Sequence, residues 1–234
     1  MPVRTYSNWN KRASDDEEQI EPYRKYFFIC EGANTETFYF EQLIDLRKQL
    51  GIHPLIDIRL MKKTEGDRNL SYPKKLIEFA NQQKNNPELD FDKEHDRMIV
   101  VFDADIFERK VPGYDELIRQ GEEDNILGIT NPAFELFLLL HIENSWERLI
   151  KPHINEFFLP DNMGGKNSLS YRLLQQETGM NSKTNRRIGH LAAQVETAIQ
   201  QEKFLNEDIH DCKGKLTCNL GKIIRMIQDD RAAI

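Results

Sequence analysis

Two apolar runs of this chain end in carboxylates. Phe27-Phe28-Ile29-Cys30 leads directly into Glu31 and Gly32, and Met98-Ile99-Val100-Val101-Phe102 leads into Asp103-Ala104-Asp105. Side chains two apart on an extended strand point to the same side, so Asp103 and Asp105 can share one space. Carboxylates held close repel, and one takes a raised pKa unless a cation intervenes. Mg2+ suits such a place, because it is a hard ion that takes carboxylates, waters and phosphate oxygens as ligands. If the strand before Glu31 lies beside the strand before Asp103, as in the common doubly wound order, all three acids reach one crevice. Three carboxylates and a divalent ion can activate a nucleophile and stabilise the leaving oxygen of a phosphodiester. Taken singly, each feature has a plainer reading: Glu31 as a solvated loop carboxylate, Asp-x-Asp as a turn with local hydrogen bonds.

Glu135 is a fourth candidate. Ala133, Phe134, Leu136, Phe137, Leu138, Leu139 and Leu140 surround it, so its helix is buried nearly all round. A carboxylate there is costly unless paired or metal-bound. Two readings stay open: an extra ligand or orienting group of the site, or a buried partner for an arginine or a backbone amide. Glu36 reads as a first-turn helix residue, His141 as a packed or capping histidine, and Asn131 as a helix cap.

The elements that must position these residues follow from periodicity. Arg24–Cys30 is a strand whose Tyr26–Cys30 part is an unbroken apolar run, buried on both faces as in a parallel sheet. Gly32 allows a tight turn and close approach to the backbone. Helices are expected at Thr35–Leu50 and Ser71–Gln83, then a short one at Tyr114–Arg119. Further strands are expected at Leu55–Met61, Met98–Phe102 and Asn125–Ile129, with a helix opening at Asn131-Pro132. The strand-helix alternation argues a parallel sheet with helices on both faces. The loop after the second strand carries Lys62, Lys63 and Arg68, candidate contacts for substrate phosphates. Beyond Ile142 the pattern is helical, with helices at Ser170–Thr178, Ile188–Phe204 and Leu216–Ile227 and a break around Gly164-Gly165. The division is therefore a loosely ordered segment over 1–22, an α/β core over 23–145 and an α-helical region over 146–234.

Cys-Glu-Gly-x-x-Thr-Glu-x-x-Tyr-Phe, from Cys30 to Phe40, resembles the opening signature of the RloB-like family. Val101-Phe102-Asp103-Ala104-Asp105 and the run from Asn131 to His141 resemble its second and third signatures. That family is related to the Toprim domains of topoisomerases, primases and OLD-type nucleases. The resemblance spans roughly Tyr23 to His141, with a weaker echo at Cys218-Asn219-Leu220. It implies a Toprim-like core in which Glu31 is a general acid/base or metal ligand and Asp103 and Asp105 are ligands of Mg2+ or Mn2+. It implies a nuclease of RNA (tRNA included) or DNA serving bacterial phage defence and abortive infection, with an ABC/AAA-type ATPase partner encoded nearby. Haloacid-dehalogenase phosphatases and glycosyltransferases also use Asp-x-Asp. In the phosphatases the pair follows the first strand, whereas here it follows the third, which favours Toprim. Two rivals remain: another metal-dependent phosphoryl or nucleotidyl transferase, and a non-catalytic sensor or scaffold subunit.

Composition narrows the class. The 234 residues are 39% hydrophobic and 30% charged, fitting a soluble globular chain that buries roughly 70–75% of its unfolded surface. No run reaches transmembrane length, and three cysteines, with Cys30 ending a core strand, fit a reduced, cytoplasmic protein. A net charge of −7 gives no global attraction for nucleic acid. Binding then needs a local basic face, a divalent cation or a partner, and a homo-oligomer is compatible with all three. The basic clusters are Lys62-Lys63, Lys74-Lys75, Lys183 with Arg186-Arg187, and Lys213 to Arg225; such clusters are most often solvated faces. Walker loop, Gly-x-Ser-x-Gly and zinc-protease histidine spacing are absent from the sequence.

Overall fold

Arg24–Cys30, which contains the apolar run before Glu31, is a central strand. In the computed structural model the structure describes residues 4–7, 22–62, 72–104, 113–159 and 167–231. Six strands form one mixed, mostly parallel sheet: β1 (Arg4–Tyr6), β2 (Arg24–Cys30), β3 (Ile56–Lys62), β4 (Arg97–Asp103), β5 (Ile126–Asn131) and β6 (Thr217–Cys218). Their spatial order is β1-β3-β2-β4-β5-β6. β2 pairs in parallel with both β3 and β4, and β4 with β5, while the short β1 and β6 close the two edges antiparallel. The expected neighbourhood of the Glu31 and Asp103 strands is thus present. Side chains alternate across the pleat. Tyr26, Phe28 and Cys30 enter one apolar cluster with α1 (Thr35–Asp45) and the carboxyl-terminal helices. Phe27 and Ile29 enter another, with α2 (Pro73–Gln83) and α3 (Tyr114–Glu122). Both faces are covered, as the unbroken apolar strands required.

α4 (Phe134–Leu139) is buried at every position. After a π turn at Trp146–Ile150 and a 3-10 stretch at Lys151–Glu156 come α5 (Leu169–Thr178), a 3-10 stretch at Arg186–Gln194, α6 (Val195–Glu202) and α7 (Leu220–Asp229). Among the described residues no helix is long and apolar enough to cross a membrane.

Several local expectations are corrected. Arg4–Tyr6, read as loosely ordered, lies in register with Leu60–Lys62 as an edge strand; Trp9 lies outside the described residues. The first helix stops at Asp45 rather than Leu50. There Arg47 N–H bonds Ile44 O three residues back, tightening the helix, and its guanidinium lies 3.6 Å from buried Asp57. The helix expected from Ile188 begins as a 3-10 stretch, with Gly189 pressed against the backbone of α1. The last helix begins at Leu220, not Leu216. Asn219 donates to Leu127 O and accepts from Ile129 N–H, both at 2.8 Å, and so takes the place of a strand partner for β5. Asn131 is no helix cap. It ends β5, its amide donates to Cys212 O at 2.7 Å and Lys215 O at 3.0 Å, and Ala133 stands at the head of α4.

Candidate active site

The carboxyl ends of β2 and β4 define the site. Glu31 extends β2 by one ladder bond, its N–H donating to Val101 O at 2.8 Å. Its side chain turns to the next strand, where Oε2 accepts from Asp103 N–H at 3.3 Å. Asp103 ends β4 opposite Thr130 of β5. The Thr130 hydroxyl donates to Asp103 Oδ1 at 2.5 Å, and Ala104 N–H to Thr130 O at 2.8 Å. Both acids are half-buried.

Glu36, in the first turn of α1, is 8% exposed and folds back so that Oε1 accepts from Gly32 N–H at 3.1 Å. A Cβ on Gly32 would lie 1.9 Å from Glu36 Oε2. The close approach expected at this glycine is therefore made by the chain's own carboxylate. Glu135, also 8% exposed, lies in the first turn of α4 and accepts from Ser182 Oγ at 2.9 Å. The partner is a serine hydroxyl from the carboxyl-terminal region rather than the arginine or backbone amide of the structural reading.

The other three acids converge electrostatically on Asp103. Asp103 keeps part of its surface open, yet protein surrounds its carboxylate densely. Desolvation, and then the charges of Glu36, Glu31 and Glu135, push its carboxyl well above the ordinary range, against the lowering effect of the Thr130 hydrogen bond. The donor set is all carboxylate oxygen, the chemistry of a hard divalent cation rather than a soft one. A cation would also relieve the repulsion on Asp103. Among the described residues, however, no three His, Cys, Asp or Glu groups are arranged as metal ligands. Asp105, the expected third ligand, lies outside the described residues.

Other sequence candidates fall as follows. Lys62 ends β3 with its ammonium paired to Glu41 and over the Tyr6 ring. Lys63 and Arg68 lie outside the described residues. His141 is a packed core histidine, 2% exposed. Its Nδ1 donates to Phe137 O and its Nε2 accepts from Tyr39 OH, each at 2.9 Å, and burial lowers its pKa to about 4. Glu36, Thr130 and Ser182 were missed as parts of the site. Glu36 carried a signal, since it stands within the Cys30–Phe40 signature, and Thr130 directly precedes the third one. Ser182 carried none, because only the tertiary fold brings it to Glu135.

A mostly parallel α/β sheet with acids gathered at the carboxyl ends of adjacent central strands has the architecture of proteins that handle ligands at a sheet edge. A model of RloB-like proteins matches residues 26–227, so the chain belongs to the RloB-like protein family. No curated protein and no solved structure matches it. The family match runs well beyond the three signatures and takes in the helices that deliver Ser182.

Proposed function

We propose that this chain is a Toprim-type, divalent-metal-dependent nuclease that cleaves phosphodiesters in RNA or DNA, and that it is an effector of phage defence restrained by an ATPase partner. The observation that carries this reading is the gathering of acids at the carboxyl ends of β2 and β4, where Glu31 Oε2 accepts from Asp103 N–H at 3.3 Å. Burial and the charges of Glu36, Glu31 and Glu135 raise the Asp103 carboxyl pKa, a shift that a cation would offset. Asp103, with Glu31 and Asp105, would hold Mg2+ or Mn2+. The ion, when bound, would stabilise negative charge developing on the phosphate. Glu31 is half-buried, its Oε2 accepts from Asp103 N–H, and it is suited to act as a general acid or base beside the ion. Glu135 and Glu36, fixed by Ser182 and Gly32, set the field around Asp103.

A second reading has an observation of its own. Glu31, Glu36 and Glu135 each accept a hydrogen bond from the protein, as expected of a scaffold that keeps its acids for structure. Incubating the purified protein with labelled RNA and DNA pools, with Mg2+ or Mn2+ and beside Glu31→Gln, separates the two. Metal-dependent cleavage lost in Glu31→Gln is expected. Intact pools with the wild type, or cleavage unchanged in the variant, would overturn the nuclease reading.

A further inference from the structure

An acid cluster that acts on phosphodiesters needs cations beside it, because substrate and site carry the same sign. The carboxyl-terminal region supplies them at one place. Between Glu177 and Glu196 the chain has no acidic residue, although its net charge is −7. Within that interval Asn181–His190 carries Lys183, Arg186 and Arg187.

This basic stretch is docked on the site itself. Ser182 Oγ holds Glu135 at 2.9 Å. The Thr35 hydroxyl donates to Ser182 O at 3.2 Å, and the Asn34 amide to Lys183 O at 3.0 Å. Asn34 and Thr35 begin α1, three residues beyond Glu31 at the nearest. Gly189 anchors the other end, for a Cβ there would lie 2.2 Å from Phe38 O. Buried Ile188 stands beside it, so the stretch is pinned along α1 from Asn34 to Phe38. Arg186 belongs to the anchoring: its guanidinium meets Glu41 at 2.7 Å and lies over the Phe38 ring. Lys183 and Arg187 are exposed, and among the described residues neither is paired with a carboxylate. Lys183 lies over the Tyr171 ring, 5.3 Å from its centre.

We infer that Lys183 and Arg187 form a phosphate-binding lip that holds a nucleic-acid backbone beside Glu31 and Asp103. The inference rests on the nuclease reading for its ligand but not for its test. Two phosphate contacts imply binding without base preference and a salt slope that falls by about one for each cation removed.

The test uses the full chain carrying Glu31→Gln and measures anisotropy of labelled RNA and DNA oligonucleotides over a salt series. Lys183→Gln/Arg187→Gln is expected to weaken binding alike across sequences and to lower the slope of log K against log salt by about two. Lys183→Glu/Arg187→Glu is expected to weaken it further. Lys93→Gln/Arg97→Gln removes the same charge from a cleft at the amino ends of β4 and β5 and is expected to leave binding unchanged. Unaltered affinity and slope in the lip variants, an equal loss in the Lys93/Arg97 control, or no binding by the parent protein would each overturn the lip. Loss of binding in the lip variants alongside a wild type that cleaves nothing would uphold the lip and remove the nuclease.

Discussion

Each acid of the site rests on a different local device, and this decides what its removal does. Glu135 has a neutral hydroxyl partner, so truncation strands no buried charge. Removing the Ser182–Glu135 bond should therefore cost about 1.5–3 kcal/mol, the range for a hydrogen bond to a charged group, not the roughly 3–5 kcal/mol of a broken buried ion pair. Ser182→Ala and Glu135→Gln are expected to stay folded with a modest fall in melting temperature, while Glu135→Gln loses cleavage. A collapse of the fold in either variant would mean that Glu135 is chiefly structural. Asp103 leads to a second expectation. Burial first, and then the charges of Glu36, Glu31 and Glu135, raise its carboxyl pKa. A bound cation offsets both, and a ligand at a hundredfold excess over its Kd stabilises the native state by about 2.7 kcal/mol. Thermal melting with and without Mn2+ should show a rise in the wild type and little in Asp103→Asn. Equal rises would place the cation elsewhere.

At the scale of elements, the loop between α6 and β6 holds the far side of the site in place. Asn131 ties it to β5 through Cys212 O and Lys215 O, and Tyr114 of α3 reaches Cys212 Sγ at 3.8 Å. His210 clips the same loop to α3, with Nδ1 2.8 Å from Asp115 and Nε2 2.8 Å from Glu122. Hydrogen bonding to Asp115 leads the causes that raise its pKa above 6.5. Arg119 shares Asp115 from the same helix. Both ring nitrogens donate only in the charged form. The clip thus stabilises fully below pH 6.5, and its contribution is lost as pH rises through the elevated folded value. The melting gap between wild type and His210→Gln should be widest at pH 5.5–6 and close under alkaline conditions. A gap that stays constant with pH would show that the ring acts only by packing.

For the whole molecule, toxicity is the relevant readout of a restrained nuclease. Under the proposed function, expression of this chain is expected to slow growth, alone or once the proposed ATPase partner is triggered, and Glu31→Gln is expected to abolish the effect while RNA and DNA stay intact. Toxicity that survives Glu31→Gln would remove the nuclease reading. How much of this was legible follows the range of the interactions. The β2 and β4 boundaries and their pairing were readable because strands buried on both faces leave continuous apolar runs. Glu31 and Asp103 were readable as the first polar residues after those runs. The partners of Glu135 and the neighbours of Gly32 were not. Ser182 lies far along the chain, and Glu36 looked like an ordinary first-turn acid until its fold-back was seen. The edge strand β6 was hidden inside a helical pattern because Asn219, not local propensity, makes residues 217–218 extended.

The site is finished from the far end of the chain. Its acids lie at residues 31 to 135, whereas Ser182, Lys183, Arg187 and the closing strand β6 come later. During synthesis the last parts follow Glu135 by roughly 80 residues, about 4–16 s at the usual 5–20 residues per second. Until residues 183–187 are made the carboxylates lack the basic stretch, and until Thr217–Cys218 is made the outer edge of β5 is uncovered. If the nuclease reading holds, the acids would stand near ribosomal RNA before the residues that complete the site had been made.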